Sequence, residues 1–362
     1  MDGYNLAPLP PIQDLETRDV LRKLATAHRY LAELKGTSEL IPNQSILIDT
    51  LALQEAKDSS AVENIITTHD ELYRSDLARG PVPLAAKEVR QYATALRAGF
   101  DRLRRRKTLA TSDLVEVQRE LVRNSAGLRT LPGTVLMNEE SGATVYVPPQ
   151  DQGTIISLLD NLIQYINDDS LSPVDPLIKM AVIHYQFESI HPFADGNGRT
   201  GRMLNVLYLV LQGLLDIPVL SLSRYIIHNK GRYYDLLAKV RTDGAWEEWI
   251  LFMLDGVEQT SRQTIWIIKG MRDLMVDYKK RIRGTFKFYS QDLVNNLFRY
   301  PYTKIEFVQR DLKVSRLTAT KYLDELAAAG LVEKQKMGRS SYYINRPLFT
   351  LLTGVPHSTR ES

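Results

Sequence analysis

Residues 191–202 read His191-Pro-Phe-Ala-Asp-Gly-Asn-Gly-Arg-Thr-Gly-Arg202, a polar, glycine-rich run between two apolar segments. The segment before it, Asp175 to Phe187, carries Leu177, Ile178, Ala181, Val182, His184 and Tyr185 at helical spacing, and its apolar character ends near Ile190. The segment after it starts near Met203. The run is therefore a loop leading into a helix N-terminus, where unpaired N–H groups and the positive end of the helix dipole favour an anion. Gly196 and Gly198 let the backbone take conformations that other residues resist and let a ligand come close. Arg199 and Arg202 are three apart and share one side of the first helical turns. Two guanidiniums beside backbone N–H groups suit a polyphosphate. Asp195 adds a hard carboxylate, and Mg²⁺ takes one or two of these when phosphates supply the remaining oxygens. His191, with an unperturbed pKa near ~6.5, can accept a proton at neutral pH. Singly, His-Pro, Gly-Asn-Gly and an Arg pair are ordinary turn and surface features. Their concentration ahead of an apolar helix points to phosphate chemistry.

Around this run the chain is mainly α. Asp19 to Leu34 presents Val20, Leu21, Leu24, Ala27, Tyr30 and Leu31 on one side. Thr111 to Arg123, Thr154 to Ile166, Trp246 to Leu254 and Thr264 to Lys280 continue the pattern. Gly133 to Pro149 breaks it, with two β-prone runs around a polar turn, and reads as a hairpin that either connects helices or borders a site. The charged stretch from Tyr278 to Ser290 marks a boundary. Beyond it, Ile305 to Leu312, a turn at Val314-Ser315, a helix from Arg316 to Ala329, a stop at Gly330 and a β-wing (Leu331 to Lys336, Gly338, Ser341 to Ile344) make a winged helix. Thr318, Thr320 and Lys321 are its recognition-helix candidates. Residues 301–350 hold nine basic and five acidic side chains, a balance compatible with DNA and equally with a protein partner. The basic fragment Arg102, Arg104, Arg105, Arg106 and Lys107 reads as a solvated helix end.

Composition narrows the classes. With 44% hydrophobic and 25% charged residues, pervasive disorder is excluded, and a net charge of +3 is too balanced for a nucleic-acid coat. The absence of cysteine removes disulfides, thiolate metal sites and a Cys nucleophile, and fits a cytoplasmic protein. Met1 to Asp14 lacks an apolar signal core, so no targeting segment is expected. Met203 to Leu222, interrupted by Asn205, Gln212, Gly213, Asp216 and Pro218, reads as a buried helix and turn, with no membrane partner expected.

The 191–202 run matches the Fic motif, His-Pro-Phe-x-Asp-Gly-Asn-Gly-Arg-x-x-Arg, at every fixed position, with Ala194, Thr200 and Gly201 in the variable places. The chain resembles a bacterial Fic protein. That resemblance implies a Fic helical core with a β-hairpin flap, and transfer of AMP from ATP, with Mg²⁺, to a Tyr, Ser or Thr hydroxyl of a target protein. By analogy His191 deprotonates the hydroxyl and Asp195 binds Mg²⁺. Gly196, Asn197 and Gly198 form the anion hole, Arg199 and Arg202 hold the β- and γ-phosphates, and Thr200 and Gly201 complete the nucleotide-binding run.

A second match lies upstream. Ser59-Ser-Ala-Val-Glu63-Asn64 fits the family's inhibitory pattern Ser/Thr-x-x-x-Glu-Gly/Asn, which implies that Glu63, with Ser59 and Asn64, pairs with Arg202 and blocks the γ-phosphate position. Read as residues alone, Ser60-Ala-Val-Glu63 is also a capping box that would start a helix. The hairpin resembles the family flap, with Val135, Leu136 and Met137 as target-pairing candidates. Gly231-Arg-Tyr-Tyr-Asp-Leu-Leu resembles the adenine side, with Tyr234 the residue chosen there. His184 and Glu188, one turn apart, suit structural hydrogen bonding better than a metal pair. The expected organisation is an N-terminal helical region with the inhibitory helix (1–100), a catalytic core (101–275) and the winged helix (290–350). A homodimer and self-modification follow from the resemblance. The competing readings are a nucleotide-sensing DNA-binding regulator, removal of AMP with Glu63 orienting water, and transfer of another phosphate-containing group.

Overall fold

The computed structural model describes residues 6–75, 82–137, 142–337 and 340–354. The hairpin turn at 138–141, and Gly338 and Arg339 of the wing, lie outside them. Helix α1 (Arg18–Ser38) is followed by α2 (Gln44–Val62), α3 (His69–Ser75), α4 (Leu84–Arg106) and α5 (Thr111–Val122). A two-stranded hairpin, β1 (Leu136–Met137) and β2 (Thr144–Tyr146), precedes α6 (Gln152–Asn167), α7 (Pro176–Ile190) and α8 (Asn197–Leu211). Then come α9 (Leu222–His228), α10 (Lys230–Asp243) and the 40-residue α11 (Trp246–Thr285).

Each central helix starts and stops for local reasons. In α1, Thr17 caps by accepting from the Val20 N–H, and the stripe Val20, Leu24, Ala27, Leu31 and Leu34 is buried against α11. In α7, the Asp175 carboxylate accepts from the Leu177 N–H and Pro176 takes the first turn, where its missing N–H costs nothing. Helices α7 and α8 are buried nearly all round and form the middle of the core, with the Trp249 indole of α11 donating to the Ala181 carbonyl at 2.9 Å.

Helix α11 differs from the two helices expected at 246–254 and 264–280. The intervening polar residues stay helical: Asp255 and Glu258 meet Lys23 of α1, and the threonines bond back along the helix. Thr260 donates to the Gly256 carbonyl at 2.6 Å and Thr264 to the Thr260 carbonyl at 2.8 Å. Gly256 lets α9 approach, since a Cβ there would lie 2.8 Å from Leu222. Among the described residues, no helix is long and apolar enough to cross a membrane.

The C-terminal unit comprises α12 (Gln291–Arg299), β3 (Tyr302–Lys304), α13 (Ile305–Leu312), α14 (Arg316–Ala328), β4 (Glu333–Met337), β5 (Ser340–Ile344) and α15 (Arg346–Thr353). Ser315 caps α14 by accepting from the Thr318 N–H, and Gly330 turns the chain at φ +68°. The three strands form one antiparallel sheet in the order β3-β5-β4, so a helix–turn–helix is followed by a hairpin. This unit shares one continuous apolar core with the rest of the chain.

Candidate active site

Loop 191–196 is built by backbone bonds to three neighbours. His191 ends α7 in the left-handed region at φ +50°, and Gly196 starts α8 at φ +82°, where a Cβ would press on Val122 and Leu121 at 3.0 and 3.2 Å. The Asn197 side chain closes the loop from within, accepting from the Phe193 N–H at 2.8 Å and donating to the Phe193 carbonyl at 2.7 Å. Arg129 holds it from outside. Its guanidinium donates to the carbonyls of His191 (2.7 Å), Ile190 (3.3 Å) and Pro149, and its own N–H reaches the Pro192 carbonyl. Gln118 donates to the Asp195 carbonyl at 3.1 Å.

The sequence motifs show no sign of Arg129. It has no helical or strand periodicity around it, and its importance comes from three carbonyls that only the fold gathers.

The charges are arranged as follows. Burial, reinforced by Arg129, lowers the His191 pKa to about 4, so the imidazole is neutral at pH 7. Asp195 is 66% exposed, with its carboxylate 3.4 Å from Arg199. Arg199 is buried and reaches Glu88 of α4 at 3.2 Å. Arg202, 1% exposed, donates from Nε to the Ser59 hydroxyl (2.8 Å), and from Nη2 to the Ser59 carbonyl (3.0 Å) and to Glu63 (2.6 Å). Burial pushes the Glu63 pKa up, but the Arg202 charge and hydrogen bond outweigh it, and the net shift is downward.

Glu63 sits at the C-terminal end of α2, so the capping-box reading of Ser60-Ala-Val-Glu63 is corrected: these residues finish a helix and do not start one. Asn64 follows at φ +59°, a conformation that Gly and Asn tolerate best, which accounts physically for that position of the pattern. Its amide oxygen accepts from Lys230 at 2.9 Å. A Cβ on Gly198 would run into the Glu63 carboxylate, so the first turn of α8 is pressed against the end of α2.

The remaining predicted residues scatter around this centre. Thr200 is buried, and Gly201 faces α7, where a Cβ would meet Glu188 at 2.5 Å and Phe187 at 3.0 Å. Both pack the base of α8. Tyr234 on α10 is partly exposed and stands edge-on to Tyr233 at 5.1 Å. His184 is bonded to the Tyr233 hydroxyl at 2.9 Å, in a structural role. Burial raises the Glu188 pKa to about 7. Among the described residues, no three His, Asp or Glu side chains gather as a metal cage.

Val135, Leu136 and Met137 lie on or beside β1, with Val135 and Met137 exposed. The hairpin is pinned to the site because the Tyr146 hydroxyl donates to the Ser189 carbonyl at 2.8 Å, two residues before His191, while Arg241 covers the Tyr146 ring at 4.3 Å. It therefore borders the site.

Residues 21–101 match the family profile described as Fic/DOC family N-terminal, and residues 108–209 match the one described as Fic/DOC family, together just over half the chain. The chain belongs to the Fic/DOC family. Residues 274–348 of this Fic/DOC chain match the profile of the protein adenylyltransferase SoFic-like C-terminal domain. Among curated relatives, protein adenylyltransferase fic-1 of Caenorhabditis elegans is 28% identical over 122 residues, 32% of this chain and 23% of the relative. Protein adenylyltransferase Fic of Drosophila virilis is 30% identical over 121 residues, 33% of this chain and 23% of the relative. The chain thus matches about a quarter of the length of these relatives. Among solved structures, a Fic family protein from Desulfovibrio desulfuricans G20 superposes with a TM-score of 0.58 at 19% identity, over 93% of this chain and 98% of that one. A fragment of Fic-1 from C. elegans gives 0.52 at 17% identity, over 69% and 73%. These structural likenesses concern the fold.

Proposed function

We propose that this Fic/DOC chain is an autoinhibited protein adenylyltransferase that moves AMP from ATP to a hydroxyl of a target protein. The observation that carries the reading is the pairing of a neutral, buried His191 with an Arg202 whose guanidinium is taken by Glu63 at 2.6 Å. A base is idle in a protein that only senses nucleotide. In the reaction the target oxygen bonds to the α-phosphorus, His191 takes the hydroxyl proton, and the bond to the bridging oxygen breaks to release pyrophosphate. Arg199 and Arg202 would hold the departing phosphates in line, and backbone N–H groups at the start of α8 would face the developing charge. The exposed Asp195 carboxylate would hold Mg²⁺, which would supply charge neutralisation. The exposed edge of β1 offers the target a strand to pair with.

The C-terminal unit reads as a winged helix that docks protein. Arg310, Arg316, Lys321, Lys334 and Arg346 each meet an acid within the unit, and Leu317, at the start of α14, is 84% exposed; both features support a protein partner over DNA.

The test uses α-labelled ATP with Mg²⁺ and three proteins. Glu63→Gly should label itself or a target more strongly than wild type, and His191→Ala should label at least ~10²-fold less than Glu63→Gly, the usual size of a general-base effect. No label in any of the three, despite measurable ATP binding, moves the reading to nucleotide sensing.

A further inference from the structure

The segment that carries Glu63 is gripped on both sides by the C-terminal unit. Before Glu63, Asp49 of α2 is 6% exposed and lies between Arg97 of α4 and Arg299 of α12, with Arg299 Nε at 2.8 Å. Thr50 donates to the Arg299 carbonyl at 3.0 Å, and Gln54 donates to the Leu352 carbonyl of α15 at 2.9 Å. After Glu63, the Tyr302 hydroxyl of β3 donates to Asp70 of α3. The rings of Tyr73, Tyr302 and Phe349 also pack together, with centroids 5.9 to 6.3 Å apart.

Between these grips α2 is stiff. Asp49 and Glu63 are about 21 Å apart along the helix at 1.5 Å per residue. Its middle rests on α4 and the catalytic core through buried Glu55, which accepts from Tyr92 of α4 and from Ser221 and Ser223, and through Asp58, which accepts from Arg224 at 3.0 Å. A helix held at its middle and loaded at one end tilts at the other.

We infer that the C-terminal unit holds the Glu63 brake shut by clamping α2 and α3 on either side of it. This rests on the proposed reading of Glu63 as the group that excludes the γ-phosphate from Arg202. Glu63 pairs closely with Arg202, and the clamp supplies the pre-organisation that keeps it there without paying ordering entropy at each closure. Loosening the clamp, by mutation or by a partner that draws the C-terminal unit away, frees Arg202 for phosphate.

The experiment takes the full chain with Thr50→Val, Arg299→Met and Tyr302→Phe combined. Arg97 remains to neutralise Asp49, so no buried charge is stranded. Two readouts are compared with wild type: Mg·ATP affinity by calorimetry, and label transfer from α-labelled ATP. The expected result is at least fivefold tighter binding and at least fivefold more transfer, with neither changed when the three substitutions are added to Glu63→Gly. Tighter binding without label in any protein would sink adenylyl transfer and leave the clamp standing. Wild-type affinity and wild-type transfer in the triple variant, while the Glu63→Gly version stays active, would overturn the clamp. Should the triple variant fail to fold, Tyr302→Phe alone is measured, with at least twofold tighter Mg·ATP binding expected and no change counting against the inference.

Discussion

At the scale of single residues, the site depends on side chains kept in unusual electrical states. His191 is a base because burial and the Arg129 charge hold its pKa near 4, so it is neutral above that value and protonated below it. In Glu63→Gly, where a charge that raises this pKa is gone, transfer should be level from pH 6 to 8 and fall only as pH drops toward 4. A rate profile against pH checks this, and an acid limb centred near 6.5 would show an unburied histidine. The twelve-residue motif was legible because every member is a residue type with few other uses at that density. Two roles were not. Asn197, placed by analogy in the anion hole, spends its side chain closing the loop on Phe193, and only its backbone is left to face an anion. Glu188, read as one half of a structural pair, turned out to press on Gly201 from beneath, a contact that depends on how α7 and α8 cross.

At the scale of elements, the errors follow from buried polar residues. Helix α2 buries Gln54, Glu55, Asp58, Ser59 and Ser60, so its inner face does not look apolar and periodicity cannot find it. With the helix unseen, Ser60-Ala-Val-Glu63, taken as residues alone, read as a helix start. The polar residues 255–263 hid the continuity of α11 in the same way. The helix–turn–helix, by contrast, follows ordinary signals: a turn ending at Ser315, which caps α14, and Gly330 as stop. The loop between α7 and α8 has its own dependence on a distant element. Arg129→Met removes the donors to His191, Ile190 and Pro149 and should slow transfer in the Glu63→Gly background by roughly 10²-fold, the penalty of a misplaced catalytic group. Nucleotide affinity, set by α8, should stay within a few-fold, and calorimetry beside the rate assay separates the two.

At the scale of the molecule, the apolar core runs unbroken from Leu6 to Leu352, and α11 is its longest member, about 60 Å at 1.5 Å per residue. It touches α1, α7, α9 and α10 along one part and α12 and α15 further on. Tyr278, near its end, is buried with its hydroxyl 2.7 Å from the Leu331 carbonyl and 3.0 Å from Asn345. Tyr278→Phe should cost ~1–2 kcal/mol, the usual consequence of stranding a buried acceptor. The loss should appear as one shifted transition, since neither half has a core of its own; two separate transitions in calorimetry would contradict this. The charged stretch from Tyr278 onward, which reads as a boundary, is helix through Thr285 with Ile282 buried beneath it. To a protease, then, Lys279, Lys280, Arg281 and Arg283 are poor bait: each of their scissile bonds is wound into the helix, and the chain could be clipped at them only after the end of α11 had first come undone.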